Sequence, residues 1–166
     1  NRLISLARGE YSTSCDADDI MLPGNLKTLS KYLDTHPDIG MVYTDILVLK
    51  IDRRGKLLRE PFIAGIDLNK RWDLISNEFQ TSVSMIRGSL ILKVGGYDET
   101  VYCVDDWDLW LKLAEVTKFK YLKDEVYYIY RKHSRGLTST NKRWTSDSLR
   151  IRSNAIKRRY GFELKI

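Results

Sequence analysis

Long hydrophobic runs are missing from this 166-residue chain. Its longest apolar stretches, such as Leu90-Ile91-Leu92 and Ile46-Leu47-Val48-Leu49, fall far short of the ~20 residues a bilayer-spanning helix requires, so none is expected. Cysteine is nearly missing too. Cys15 and Cys103 are too few to staple a domain of this size, which excludes a disulfide scaffold and fits a reducing compartment. Both are expected as small buried hydrophobes at strand ends, since no base stands beside either in sequence to activate a thiolate. No secretory signal opens the chain, and its start at Asn1, within an amphipathic pattern of Leu3, Ile4, Leu6 and Ala7, reads as part of a longer product. What is present, 43% hydrophobic residues, suits a soluble globular domain with a real core and excludes disorder.

Charge is unevenly placed. Residues 1–130 carry 17 Lys and Arg against 20 Asp and Glu, whereas 131–166 carry 11 against 2, so the net charge of +6 belongs to the C-terminal end. A basic segment can meet nucleic acid, anionic lipid or a pyrophosphate. The favoured reading of Lys142, Arg143, Arg150, Arg152, Lys157, Arg158 and Arg159 is one solvated helix face.

Glu10 to Cys15 tolerates a strand, Pro23 suits a first helical turn, and Leu22, Leu26, Leu29 and Leu33 lie at helical spacing around and after it. The expected order is strand, acidic turn, helix. His36-Pro37-Asp38 ends that helix, Met41 to Lys50 is a strand rich in Val, Ile and Tyr, and Asp52-Arg53-Arg54-Gly55 turns it as a hairpin. Residues 61–81 lack periodicity and are expected as a loop or lid with at most a short helix at 72–75, leading into a strand at 82–86. Arg87 to Val94 reads as a short helix stopped by Gly95-Gly96. Asp105 to Thr117 forms an amphipathic helix, with Trp107, Trp110, Leu111 and Ala114 on one stripe and acids at the positive end of its dipole. Two paired strands, Phe119 to Leu122 and Val126 to Tyr130, then a polar loop with His133 and a basic helix from Trp144 to Tyr160, complete the chain.

Two acidic clusters carry the chemistry: Asp16-Ala17-Asp18-Asp19 and Asp105-Asp106-Trp107-Asp108. Crowded carboxylates repel one another and call for a divalent cation or a catalytic reason to coexist. Spacing alone proves little in a chain with 15 Asp. Asp16 and Asp18 can face one side of a turn and offer hard oxygen ligands to Mg²⁺ or Mn²⁺, which could hold a diphosphate. A helix cap at Asp19 would account for one carboxylate, not three. An EF-hand would need a glycine and a terminal glutamate that are absent, and the polar strand Tyr11-Ser12-Thr13-Ser14 speaks against a phosphatase nucleophile. Asp105-Asp106 also suits capping. Its chemical reading is a general base that takes a proton from an attacking hydroxyl, with Trp107 as an apolar wall. His133, one of two histidines, is a solvated loop residue unless the fold returns it to Asp16 and Asp18, where imidazole could complete a metal shell.

Taken in order, Asn1-Arg2, Ala7-Arg8-Gly9-Glu10-Tyr11, Cys15-Asp16-Ala17-Asp18-Asp19, Pro23, Val42-Tyr43-Thr44-Asp45, Met85-Ile86-Arg87, Gly95-Gly96-Tyr97-Asp98-Glu99, Asp105-Asp106-Trp107-Asp108-Leu109-Trp110-Leu111 and Tyr130-Arg131 with His133 resemble glycosyltransferase family 2 over residues 1 to about 140. The resemblance implies an α/β GT-A fold, a mixed sheet flanked by helices, without its N-terminal nucleobase-binding βαβ portion. Residues 1–140 would then be a partial GT-A catalytic domain and 141–166 a basic C-terminal helix and tail. It also implies Asp16 and Asp18 for metal and donor diphosphate, His133 as a further metal contact and Arg131 assisting the diphosphate. Asp106 would be the base beside Asp105, with Asp19, Arg87, Gly95, Gly96, Tyr97 and Trp107 on the substrate side. Asp105 stands where the family more often has glutamate.

The implied reaction is inverting transfer from a nucleotide-diphospho-sugar, expected to be a UDP-sugar, to a saccharide or lipid-linked acceptor hydroxyl. Mn²⁺ or Mg²⁺ is the expected cofactor, polysaccharide biosynthesis at the cell envelope the expected setting, and nucleic acid is not an expected partner. A cytoplasmic location follows, with the basic segment as a peripheral contact for the inner membrane face. Two other readings stay open. One is a catalytically silent fragment or a sugar- or nucleotide-binding module; the other is a carboxylate-pair glycoside hydrolase, whose acid and base must flank one bond.

Overall fold

A computed structural model describes residues 1–67, 84–140 and 142–161. In chain order the elements are α1 (Arg2–Leu6), β1 (Tyr11–Thr13), β2 (Ile20–Met21), α2 (Asn25–Thr35), β3 (Ile39–Lys50), β4 (Phe62–Ala64), β5 (Met85–Arg87), α3 (Gly88–Lys93), α4 (Asp105–Val116), β6 (Lys118–Lys132), α5 (Leu137–Thr140) and α6 (Trp144–Tyr160). Among the described residues, six strands form one mixed sheet in the order β1-β5-β3-β6-β2, with β4 also paired to β3. Only β3 and β6 run parallel; the other pairings are antiparallel.

β3 is the centre of the sheet because its side chains are apolar on both faces, as a strand covered on each side requires. Met41 and Tyr43 join the cluster around α4. Val42, on the opposite face, meets Leu29 and Leu33 of α2. The α4 cluster is the larger one. Trp107, Leu109, Trp110, Leu111, Leu113 and Ala114 are all buried in it, together with Ile151 and Ala155 of α6. The single apolar stripe expected of α4 is therefore too narrow: α6 covers a second side of that helix, so its apolar surface wraps most of the way round. Each large side chain so buried stabilises by ~1.5–3 kcal/mol, which fixes α4 and the acidic turn at its start.

Two sequence expectations fail on this sheet. The segments 119–122 and 126–130 do not pair with each other; they are parts of the single strand β6, which runs beside β3 from Ile39↔Lys118 to Lys50↔Lys132. The intervening Lys123-Asp124-Glu125 looks like a turn but is an irregularity in the ladder, where Thr44↔Leu122 is followed by Asp45↔Val126. Asp124 absorbs the extra length with φ 66°, and its N–H donates to Asp45 Oδ2 at 2.8 Å. Asp45, 4% exposed, also accepts from the Tyr121 hydroxyl. A Cβ at Gly65 would collide with Asp45 Oδ1, so only glycine lets the chain pass there.

The second failure is the loop reading of 61–81, since Phe62–Ala64 pairs with Ile46 to Val48 as β4. The helix expected at 72–75 lies outside the described residues, as do 82 and 83 of the expected strand, whose described part is Met85–Arg87. The hairpin turn is as expected. Asp52 Oδ1 accepts from the N–H groups of Arg54 and Lys56 at 2.8 and 2.9 Å, the side-chain bonding that suits Asp to a turn.

Candidate active site

β2 is only two residues long and was not foreseen, yet it assembles the site. Ile20 pairs with Ile129 and Met21 with Tyr128; the same antiparallel register, continued, sets Asp18 opposite Arg131. The contacts follow that register. The Arg131 N–H donates to Asp19 Oδ1 at 2.8 Å, and Arg131 Nε donates to the Asp18 carbonyl. His133 Nε2 lies 2.8 Å from Asp18 Oδ2. The Arg135 N–H donates to His133 Nδ1 at 3.2 Å, which leaves the ring proton of a neutral imidazole on Nε2, donated to Asp18. The fold thus returns His133 to the first acidic cluster.

Asp19 is not a helix cap, because Gly24 holds the N-cap position of α2 and no side chain caps it. It is buried instead and fastens the acidic turn to β6. Burial raises its carboxyl above the usual range, against the lowering supplied by the Arg131 N–H and the Tyr128 hydroxyl. Tyr128 Oη in turn accepts the Asp16 N–H at 3.2 Å.

The second cluster opens α4. The N-cap of this helix is Val104, so neither Asp105 nor Asp106 holds that position, although Asp106 satisfies one donor of the first turn. Asp106 Oδ1 accepts the Trp107 N–H at 2.7 Å, and both acids sit in the first turn, where the helix dipole favours negative charge. Asp106 is exposed and Asp105 half-buried.

Both clusters face one cleft of about 440 Å³. Asp16, Asp18, Asp105, Asp106, Tyr97, Trp107, Arg131 and His133 line it, together with the hydroxyl residues Ser12, Thr13 and Ser84 and apolar residues such as Ile46 and Ile86. The carboxylates are close enough to sense one another. Burial first, then repulsion from Asp18 and Asp105, raises the Asp16 carboxyl above its ordinary value. Burial, then Asp106, Asp105 and Asp16, pushes the Tyr97 phenol up to about 12. Among the described residues no three His, Cys, Asp or Glu side chains gather closely enough to hold a metal ion as they stand; Asp18 and His133 are bonded to each other.

Other expected site residues lie elsewhere. Gly95 and Gly96 are not on the cleft lining; they end α3 with φ of 83° and 71°. Arg87 is not on it either, and its guanidinium donates to the carbonyls of Leu33, His36 and Ile39, tying β5 to the end of α2. Cys15 is exposed rather than buried, since it sits on the acidic turn outside the sheet; Cys103 is half-buried on the cleft wall, and both are free thiols. The C-terminal helix is not one solvated basic face. Arg150 donates to the Thr100 carbonyl at 2.7 Å, Arg152 stands 4.8 Å from the Trp107 ring, and Arg158 donates to Glu115 at 2.8 Å, because α6 packs against α4 along that side. Tyr128 and Tyr130 line the cleft and were missed, although their spacing of two on a strand puts both on one face.

No protein-family model matches the chain. It is 32% identical over 127 residues to an uncharacterized glycosyltransferase of Methanocaldococcus jannaschii, covering 75% of this chain and 43% of that protein. It is 28% identical over 103 residues to the amylovoran biosynthesis glycosyltransferase AmsE of Erwinia amylovora, covering 61% and 37%. Against the chondroitin synthase of Escherichia coli it is 26% identical over 133 residues, covering 76% and 18%. The chain therefore spans less than half the length of these relatives. In fold it matches S. aureus TarS, solved in complex with UDP-GlcNAc, with a TM-score of 0.62 at 16% identity, over 95% of this chain and 45% of that one. No helix among the described residues is long and apolar enough to cross a membrane. In sequence the chain is similar to proteins named glycosyltransferases and in fold it is GT-A-like, which is consistent with a partial domain of the glycosyltransferase family 2 kind.

Proposed function

We propose that the protein carrying this chain transfers a sugar, with inversion, from a nucleotide-diphospho-sugar, with UDP as the nucleotide, to the hydroxyl of a saccharide or lipid-linked acceptor. The observation that carries the reading is the convergence of Asp16, Asp18, Asp105, Asp106 and His133, from three separate segments of the chain, on one cleft. The names of the relatives from Erwinia amylovora and Escherichia coli support polysaccharide synthesis as the setting, and a cytoplasmic location goes with a nucleotide-sugar donor.

In this reading Asp106, exposed at the start of a rigid helix, takes the proton from the acceptor hydroxyl as its oxygen attacks the anomeric carbon. The bond from that carbon to the diphosphate breaks on the opposite face, and the nucleoside diphosphate leaves. A positioned base of this kind contributes ~10²–10⁴ in rate. Trp107 and Tyr97 narrow the cleft around the reacting atoms and exclude water.

The side chains near Asp16 suit a divalent cation by their chemistry. Two carboxylates, with the His133 imidazole once it gives up its bond to Asp18, offer hard oxygen and nitrogen donors for Mn²⁺ or Mg²⁺. The Asp16 carboxyl is raised first by burial and then by Asp18 and Asp105, and a cation would offset the second of these. When bound, the ion supplies charge neutralisation for a departing diphosphate. Arg131, whose Nε is engaged by the Asp18 carbonyl, adds fixed positive charge beside it.

The test is Asp106→Asn in the intact protein. Release of UDP from a UDP-sugar in the presence of an acceptor is expected to fall by ~10²–10⁴. An unchanged rate would remove Asp106 from the mechanism.

A further inference from the structure

The turn between α3 and α4 is held by more bonds than a helix stop needs. The Gly96 carbonyl accepts from Lys112 Nζ at 2.7 Å. The same ammonium lies 2.9 Å from the Asp108 carboxylate, a side chain only 3% exposed that no step of the proposed transfer uses. A buried ion pair is a poor source of stability compared with apolar residues of the same volume, and every other buried position of α4 is apolar. What the Asp108–Lys112 pair visibly does is hold an ammonium against the Gly96 carbonyl.

Asn1, the N-cap residue of α1, holds the same turn. Asn1 Oδ1 accepts the Tyr97 N–H at 2.9 Å, while Asn1 Nδ2 donates to the Tyr97 carbonyl at 2.8 Å and to Glu99 Oε1 at 2.9 Å. A Cβ on Gly96 would meet Asn1 Oδ1 at 2.5 Å, so the clip closes only over glycine. Between the two grips stands Tyr97, half-buried with its side chain on the cleft wall near both acidic clusters. There the phenol stays protonated and able to donate.

We infer that Asn1 and the Asp108–Lys112 pair are positioning residues, which fix the Gly96-Tyr97 peptide so that the Tyr97 phenol faces the cleft as an oriented hydrogen-bond donor to a sugar oxygen. The geometry is independent of the proposed transfer, and the choice of a sugar as ligand rests on that reading. A displaced donor costs a reaction far more than it costs the fold, since a shift of about 1 Å can lower a rate ~10²-fold.

The experiment uses the intact protein with Asn1→Ala, Lys112→Gln and Tyr97→Phe, singly and in combination. Asn1→Ala removes no buried charge, and glutamine at 112 keeps a donor for Asp108 but is too short to reach the Gly96 carbonyl. Hydrogen exchange of the Tyr97 amide is expected to quicken at least tenfold in Asn1→Ala at unchanged global stability; unchanged exchange would overturn the clip. UDP release from UDP-GlcNAc and UDP-glucose, with oligosaccharide acceptors, is expected to fall about ten- to a hundredfold in each single variant, UDP binding in Mn²⁺ being retained. Added to Tyr97→Phe, the other two substitutions are expected to cost little more, and Lys112→Arg to restore most of the rate. Independent, multiplying losses would show that Asn1 and Lys112 do not act through Tyr97. A wild-type protein that transfers no sugar would overturn the transfer reading, and the exchange measurement would still decide the clip.

Discussion

The chain contains the Asp-x-Asp spacing twice, and the two copies have opposite fates. In Asp16-Ala17-Asp18 both carboxylates line the cleft, on a turn whose side chains are largely open to water and which is tied to β6 through Arg131 and His133. In Asp106-Trp107-Asp108 only the first acid reaches the cleft. Asp108 points into the core and meets Lys112, because positions two apart on a helix lie on different faces. The lesson is that a spacing acquires meaning from the backbone beneath it: on a turn it gathers charge, and on a helix it separates an acid open to solvent from one buried in the protein.

Stability is where this contrast breaks most visibly. Lys112→Met would leave Asp108 buried without its partner and is expected to cost ~3–5 kcal/mol, measured by denaturant unfolding. Asp18→Ala, at a side chain 51% exposed, is expected to change stability by no more than about 1 kcal/mol. Equal costs at the two sites would erase the distinction.

A smaller effect separates Asp16 from ordinary surface acids. Its folded-state carboxyl is raised, so the folded protein holds that proton more tightly than the unfolded chain, and the stabilisation this gives is lost as pH rises above the ordinary carboxylate range. Asp16→Asn removes this term. Without divalent ions, the melting temperature of the wild type is expected to decline relative to Asp16→Asn as pH rises through that window. A constant difference between the two would mean that folding leaves the Asp16 carboxyl unshifted.

Much of this was legible in the sequence. The ordered motifs named the fold, and local signals fixed α2, the hairpin at Asp52-Arg53-Arg54-Gly55, the glycine stop after α3 and the limits of α6 at Trp144 and Tyr160, since caps, turns and apolar periods are written in neighbouring residues. What escaped was set by distant partners. β6 reads as two strands because the reason it continues past Asp124 is a carboxylate on β3, Asp45. β2 is too short to carry a period, so the return of His133 to Asp18 could be stated only as a condition. The contacts of Arg87 and Asp19 with backbone of α2, β3 and β6 were likewise invisible, since only the tertiary structure brings those segments together.

The proposed division of labour between the two clusters is tested most directly by calorimetric titration of UDP in the presence of Mn²⁺ into the intact protein, with Asp18→Ala and Asp106→Asn side by side. The metal-dependent binding heat is expected to vanish in Asp18→Ala and to persist in Asp106→Asn. Equal loss in both variants, or full binding in Asp18→Ala, would contradict the assignment of one cluster to the donor diphosphate and the other to the proton.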